Sequence, residues 1–245
     1  MHYAIGWDVG GWNCDRNATS RDALVILDPH RALIGKPWRG NLRRVINESA
    51  STPEFVARLF ELCCARHDGH PVVLAIDTPL AFSTPFVKLI TQSQLTEPIG
   101  ESSSNPYLYR YTERFLSEHG IQPLSPIKDM IGSQATKGIH VLAKFAPELE
   151  SCGIWSSSGL VAIEAYPSPC KRSALISGLR KELPSFATDD ENDALTCALV
   201  GNLFSVDRLK LMDPPGEAPP QEGWIWVPRD SLGPKTKEPS SPKAP

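Results

Sequence analysis

Three apolar runs in this chain each lead straight into a carboxylate. Tyr3-Ala4-Ile5-Gly6-Trp7 runs into Asp8, Val72-Val73-Leu74-Ala75-Ile76 into Asp77, and Leu160-Val161-Ala162-Ile163 into Glu164. Short continuous apolar runs bounded by polar segments suit strands covered on both faces, the habit of α/β sheets. An acid at the end of a buried strand costs free energy unless something pairs with it. A fourth acidic group, Asp189-Asp190-Glu191-Asn192-Asp193, opens a late apolar segment. Together they point to an acidic pocket that a divalent cation would neutralise.

Composition sets the bounds. A chain of 245 residues fits one sizeable α/β domain or two small ones. The net charge of −3 excludes a global basic signature, so a nucleic-acid partner would need a local basic patch. The cysteines Cys14, Cys63, Cys64, Cys152, Cys170 and Cys197 show no CxxC pair and no His–Cys zinc spacing. They are expected to be mostly buried, reduced thiols of a cytoplasmic protein. The six histidines form no ligand spacing either. The start has no basic region followed by a long apolar one, so no signal peptide is expected. No apolar run approaches the ~18 residues of a membrane span.

Residues 3–9 read as a first strand broken by Gly10-Gly11, residues 23–28 as a second, and residues 32–37 as a short third. Thr52 is expected as an N-cap with Pro53 in the first helical position. Phe55, Val56, Leu59, Phe60 and Cys63 then recur at helical spacing. A strand follows at 71–76, then a helical insertion over about 84–150, with helices expected at 107–119 and 134–149. A strand at 160–166 and a helix at 168–181 come next. Thr188 and Glu191 form a capping box for a helix reaching about residue 209, and residues 224–227 read as a short last strand. From Arg229 to residue 245 the chain is Pro, Ser and Lys, and disorder is expected. This order is that of a ribonuclease-H-like domain over residues 1–228, a mixed five-stranded sheet flanked by helices with a helical insertion.

Each candidate residue has a plainer reading beside the functional one. Asp8 before Gly10-Gly11 suits a metal-bridging carboxylate beside a phosphate, because glycines admit close approach, or equally a turn cap. Asp77, before Thr78-Pro79, suits a second metal ligand at the carboxyl end of a central strand, where ligands of open α/β sheets bind, or a turn-initiating Asp. Glu164 suits a metal-side or substrate-side role, or an ion pair with Lys171 or Arg172. Asp190 and Asp193 share a helix face and can hold one ion between them, although acids in a first turn also stabilise the helix dipole. Asp193 lies a full turn in, where capping explains it less well. Arg110 and Arg114, one helical turn apart with Tyr107 and Tyr111, suit phosphate and base contacts, or intrahelical pairs such as Arg110 with Glu113. Lys128 adds positive charge in the same insertion.

With these residues placed, the chain resembles the domain-of-unknown-function-429 family of predicted nucleases, in the ribonuclease-H-like superfamily. The matching stretches are Ile5-Gly6-Trp7-Asp8, Ala75-Ile76-Asp77-Thr78-Pro79-Leu80, Ile163-Glu164-Ala165-Tyr166-Pro167, Asp190-Glu191-Asn192-Asp193-Ala194-Leu195 and Glu222-Gly223-Trp224-Ile225-Trp226-Val227-Pro228. The acid pair of the last helix is also similar to that of Holliday-junction resolvases. The resemblance implies metal-bearing acids at Asp8, Asp77 and the final helix. The chain departs from the pattern at Trp12-Asn13-Cys14-Asp15-Arg16-Asn17, longer than the usual glycine turn, and across residues 84–150.

The expected reaction is phosphodiester hydrolysis assisted by Mg²⁺ or Mn²⁺. Asp8 would bridge the ions, Asp77 would hold one and Asp190 with Asp193 the other. Glu164 would orient water, and Gly10, Gly11, Arg110, Arg114 and Lys128 would hold a nucleic-acid substrate. Two other readings stand beside it. An actin-like ATP-dependent phosphotransferase would use Asp8-Val9-Gly10-Gly11 against phosphates, but needs a second Gly-rich turn. A non-catalytic nucleic-acid or protein-binding module would keep the acids for stability or a structural cation.

Overall fold

The computed structural model describes residues 2–235. Strands β1 (Tyr3–Asp8), β2 (Asp22–Leu27) and β3 (Leu33–Gly40) form an antiparallel meander, followed by helices α1 (Arg43–Glu48) and α2 (Thr52–Leu62). Strand β4 (Val72–Asp77) lies parallel to β1. The insertion then contributes α3 (Thr84–Gln92), α4 (Tyr111–Glu118) and α5 (Gly132–Phe145). Strands β5 (Glu148–Ser151), β6 (Ile154–Ser157) and β7 (Leu160–Ala165) form an antiparallel meander, and β7 lies parallel to β4. Helices α6 (Pro167–Cys170), α7 (Ala174–Arg180) and α8 (Asp189–Val206) precede the last short strand, β8 (Ile225–Trp226). The chain is thus an α/β protein with one mixed eight-stranded sheet of order β3-β2-β1-β4-β7-β6-β5, β8 pairing with the end of β7.

Strand alternation decides which side chains reach which face. Ala4, Val73, Ala75, Ile163 and Ala165 face α8, where they meet Ala194, Ala198 and Leu199. Ile5, Trp7, Leu74, Ile76 and Ala162 face the other way, toward Phe55 and Phe60 of α2 and Val141 and Phe145 of α5. Phe55 and Phe145 stack there with centroids 4.1 Å apart. Burying a side chain of this size contributes about 1.5–3 kcal/mol. The close seat of α8 depends on Gly6, since a Cβ there would lie 1.9 Å from the Ala194 carbonyl oxygen and 2.3 Å from the Ala198 nitrogen.

Several expectations shift. The sheet has eight strands rather than five, because residues 148–157, expected in part as helix, form a hairpin and the short last strand joins the sheet beside β7. The insertion therefore ends before Glu148 rather than at residue 150. The cap of α2 is Ser51, whose hydroxyl accepts the Glu54 amide at 3.3 Å, while the Thr52 hydroxyl donates to the Phe145 carbonyl at 2.9 Å. The helix expected from 107 begins at Tyr111, because the Asn105 carboxamide accepts the Tyr107 amide and holds a turn there. The helix expected at 168–181 divides into α6 and α7, the latter capped by Ser173.

Residues 229–235 are not a free tail. Asp230 accepts the Ser173 hydroxyl at 2.6 Å and the Leu175 amide at 3.0 Å, and Ser231 is buried. The remainder of the expected disordered segment, 236–245, lies outside the described residues. All six cysteines are free thiols; Cys64 is exposed and the other five are buried. Among the described residues no helix is long and apolar enough to cross a membrane.

Candidate metal centre in an acidic cleft

Asp8 and Asp77 end the two parallel strands β1 and β4 and are direct register partners. They follow the alternation of Ala4 and Ala75, so both carboxylates project on the α8 side of the sheet, toward that helix's first turn. They line a cleft of about 220 Å³ with Thr78, Gln134, Leu124 and Tyr166. Burial is the chief cause that pushes the Asp8 carboxyl from an ordinary 3.8 up to about 9, followed by the charges of Asp77, Asp190, Asp193 and Asp22. Burial, then Asp193 and Glu164, raises Asp77 well above the carboxylate range, and Lys171 is the one cation that opposes it. Among the described residues neither carboxylate has a hydrogen-bonded cation for a partner.

Glu164 stands one residue out of phase. Its register partner is Ile76, not Asp77, and strand β7 continues past it to Ala165. Its side chain therefore belongs to the other face, where Arg110 meets it bidentately at 2.6 and 2.8 Å and the Leu80 amide donates to it at 2.9 Å. Glu164 borders the cleft, but its oxygens are already satisfied, which argues against a role as metal ligand or water base. Arg110 is wholly buried between Glu113 and Glu164, so it is a tie between insertion and sheet rather than a phosphate contact. It precedes α4 as its cap residue, so Arg110 and Arg114 are not successive turns of one exposed face. Arg114 is partly buried, its Nε has no hydrogen-bond partner, and it does not line the cleft. Lys128 is exposed, its ammonium 5.5 Å from the Tyr109 ring centre, in a hollow of about 400 Å³ that shares Pro123 and Leu124 with the cleft.

The acids of α8 divide. Asp190 accepts the Arg21 amide at 3.0 Å and the Arg39 guanidinium at 2.6 Å, and so binds β3 to the helix start rather than standing free. Among the described residues Asp193 is ion-paired only with Lys171, at 3.6 Å, and it lines a smaller neighbouring hollow. Burial raises its carboxyl pKa.

The Gly10-Gly11 turn is also committed. The Gly10 amide donates to Asp22 at 2.9 Å, and the carbonyls of Gly10 and Gly11 lie 3.3 and 3.4 Å from the Lys137 ammonium. A Cβ on Gly10 would lie 2.8 Å from the β2 backbone. These glycines let β2 and α5 close on the turn, in place of the expected phosphate approach. Lys137 is wholly buried in an ion pair with Asp22, which also accepts the Trp7 indole and the Leu42 amide. Sequence reasoning passed over this pair. Its signal was a lysine on the apolar stripe of Ala135, Gly138, Val141 and Phe145.

The five acids expected to meet are thus reduced to Asp8 and Asp77, with Asp193 beside them. As the side chains lie, no group of three or more His, Cys, Asp or Glu among the described residues is arranged to hold a metal ion. No family model matches this chain, and neither does any curated protein or solved structure.

Proposed function

We propose that the chain is a divalent-metal-dependent phosphodiester hydrolase, a nuclease of ribonuclease-H-like type. The observation that carries this reading is the Asp8–Asp77 pair. Two carboxylates on register positions, both raised chiefly by burial, Asp8 then by the charge of Asp77 and Asp77 by those of Asp193 and Glu164, form a site whose ionised state lacks a counter-ion of matching charge. The five strands β3-β2-β1-β4-β7, an antiparallel meander followed by two strands parallel to β1, with acids ending the neighbouring β1 and β4, support the same reading.

The donor set suits Mg²⁺ or Mn²⁺. Every candidate ligand is an oxygen, which favours a hard cation. The Thr78 hydroxyl, next in chain to Asp77, is buried with no hydrogen-bond partner. Asp8 and Asp77 would hold the ion, with Asp193 completing the set. When bound, the ion supplies a Lewis acid and a water of lowered pKa. The protein's own contribution is positional. Glu164 and Arg110 pin the Leu80 amide and with it the segment after β4. Leu124, Ile131 and Tyr166 give the cleft an apolar wall that limits water beside the carboxylates. The adjoining hollow beneath Lys128 offers a path for a flanking nucleotide.

The phosphotransferase reading loses ground because the Gly10 amide, which a phosphate would need, is already spent on Asp22. The test is incubation with Mn²⁺ and single-stranded, duplex and branched DNA and RNA, wild type against Asp8→Asn. Cleavage lost in the variant supports the nuclease. Equal cleavage by both proteins rejects the assignment, and metal-dependent stabilisation without cleavage of any substrate favours the binding module.

A further inference from the structure

The cations near the cleft are nearly all immobilised. Arg39 donates to Asp190 at 2.6 Å and to the Thr19 carbonyl at 3.1 Å. Arg180 makes three bonds of 2.8–2.9 Å to Asn192 and Thr196. Arg110 and Lys137 are buried in their own ion pairs. Lys171 differs. It follows α6 in the turn after β7, its side chain is 69% exposed, and its ion pair to Asp193 is 3.6 Å long, beyond hydrogen-bond range. It lines a hollow of about 190 Å³ together with Asp193, and its charge is felt at Asp77.

We propose that Lys171 is the exchangeable counter-ion of the acidic site: it rests against Asp193 in the metal-free protein, and turns to a substrate phosphate oxygen once a divalent cation has taken the carboxylates. This rests on the metal reading above. The physical basis is simple. A lysine is a compact, strongly hydrated point charge on a flexible stem, suited to changing partners. It sits where two acids need a charge, and no geometric bond holds it there. Divalent cation and ammonium compete for the same carboxylates, so metal entry frees the ammonium beside the place where a phosphodiester would bind.

The experiment measures Mn²⁺ affinity by calorimetry for wild type, Lys171→Ala and Lys171→Arg, then inorganic phosphate affinity for each protein saturated with Mn²⁺. Because Lys171 is exposed, the variants should fold, and circular dichroism checks this. The Ala variant should bind Mn²⁺ roughly two- to fivefold more tightly, the loss of an exposed charge competitor. The same variant should bind phosphate several-fold more weakly, while Arg restores phosphate binding. Unchanged or weaker Mn²⁺ binding in Lys171→Ala, or unchanged phosphate binding, overturns the proposal. A wild type that binds no Mn²⁺ at all overturns the metal reading itself, and is seen before any variant is made.

Discussion

Replacing Asp8 by Asn should make the metal-free protein more stable while removing its metal response. Adjacent parallel strands lie ~4.8 Å apart, so two ionised carboxylates at register positions Asp8 and Asp77 are about 5 Å from one another. At an effective dielectric of about 20 their repulsion is about 3 kcal/mol. The folded protein relieves this repulsion, and the larger cost of burying the charge, by holding a proton, which the raised Asp8 pKa of about 9 expresses. The unfolded chain gives up that proton near its ordinary value of 3.8. Between these limits the folded state binds more protons than the unfolded state, so wild-type stability falls as pH rises. The Asn variant loses Asp8's share of that slope and keeps the share of Asp77, whose carboxyl is raised by burial, Asp193 and Glu164. For a chain of this length about 3 kcal/mol corresponds to a melting point higher by about 6–12 °C. The assay is a thermal melt of both proteins from pH 5 to pH 9 in EDTA, repeated in Mn²⁺. Wild type should lose stability across the range without metal and regain it with Mn²⁺, while Asp8→Asn should show a shallower fall with pH and little response to Mn²⁺. A variant less stable than wild type at pH 8 without metal, or with the same pH slope, would refute the reasoning.

Three further outcomes follow from the same contacts. Arg110→Met leaves Glu164 and Glu113 buried without their cation and should cost about 3–5 kcal/mol in urea unfolding; Glu164→Gln should leave Mn²⁺ affinity near wild type, since its oxygens are already bound. Lys137→Met should destabilise by a similar ~3–5 kcal/mol because Asp22 is stranded, and the double variant with Asp22→Asn should recover part of that loss in a double-mutant cycle. A thiol reagent should modify Cys64 alone in the native protein and the other five cysteines only after denaturation.

Much of the framework was legible because buried strands leave continuous apolar runs. The ends of β1 and β4 fall where Asp8 and Asp77 interrupt those runs, and the Thr188–Glu191 box opens α8 as its spacing indicates. Glu164 looked equivalent but was not. One residue of register turns a strand side chain to the opposite face, and only the pairing with Ile76 reveals that offset. The apolar Ala165 just beyond it was the local hint. The β5–β6 hairpin was hidden because Glu148-Leu149-Glu150 has no strand pattern of its own; the turn at Gly153, with φ of +74°, was its best sign. The Arg110–Glu113 pair was legible from its spacing, but the long-range ties of Arg110 and Lys137 were not. Their partners, Glu164 and Asp22, are 54 and 115 residues away, and no local spacing reports such pairs. For Lys137 the trace is a charged residue on an otherwise apolar helix stripe.

The most direct test of the acidic pair is anomalous diffraction from crystals grown with Mn²⁺. An ion bound by oxygens of both Asp8 and Asp77 at about 2.1 Å is the expected result. Crystals in which both side chains stay metal-free at saturating Mn²⁺, or in which the ion sits away from them, would contradict the account.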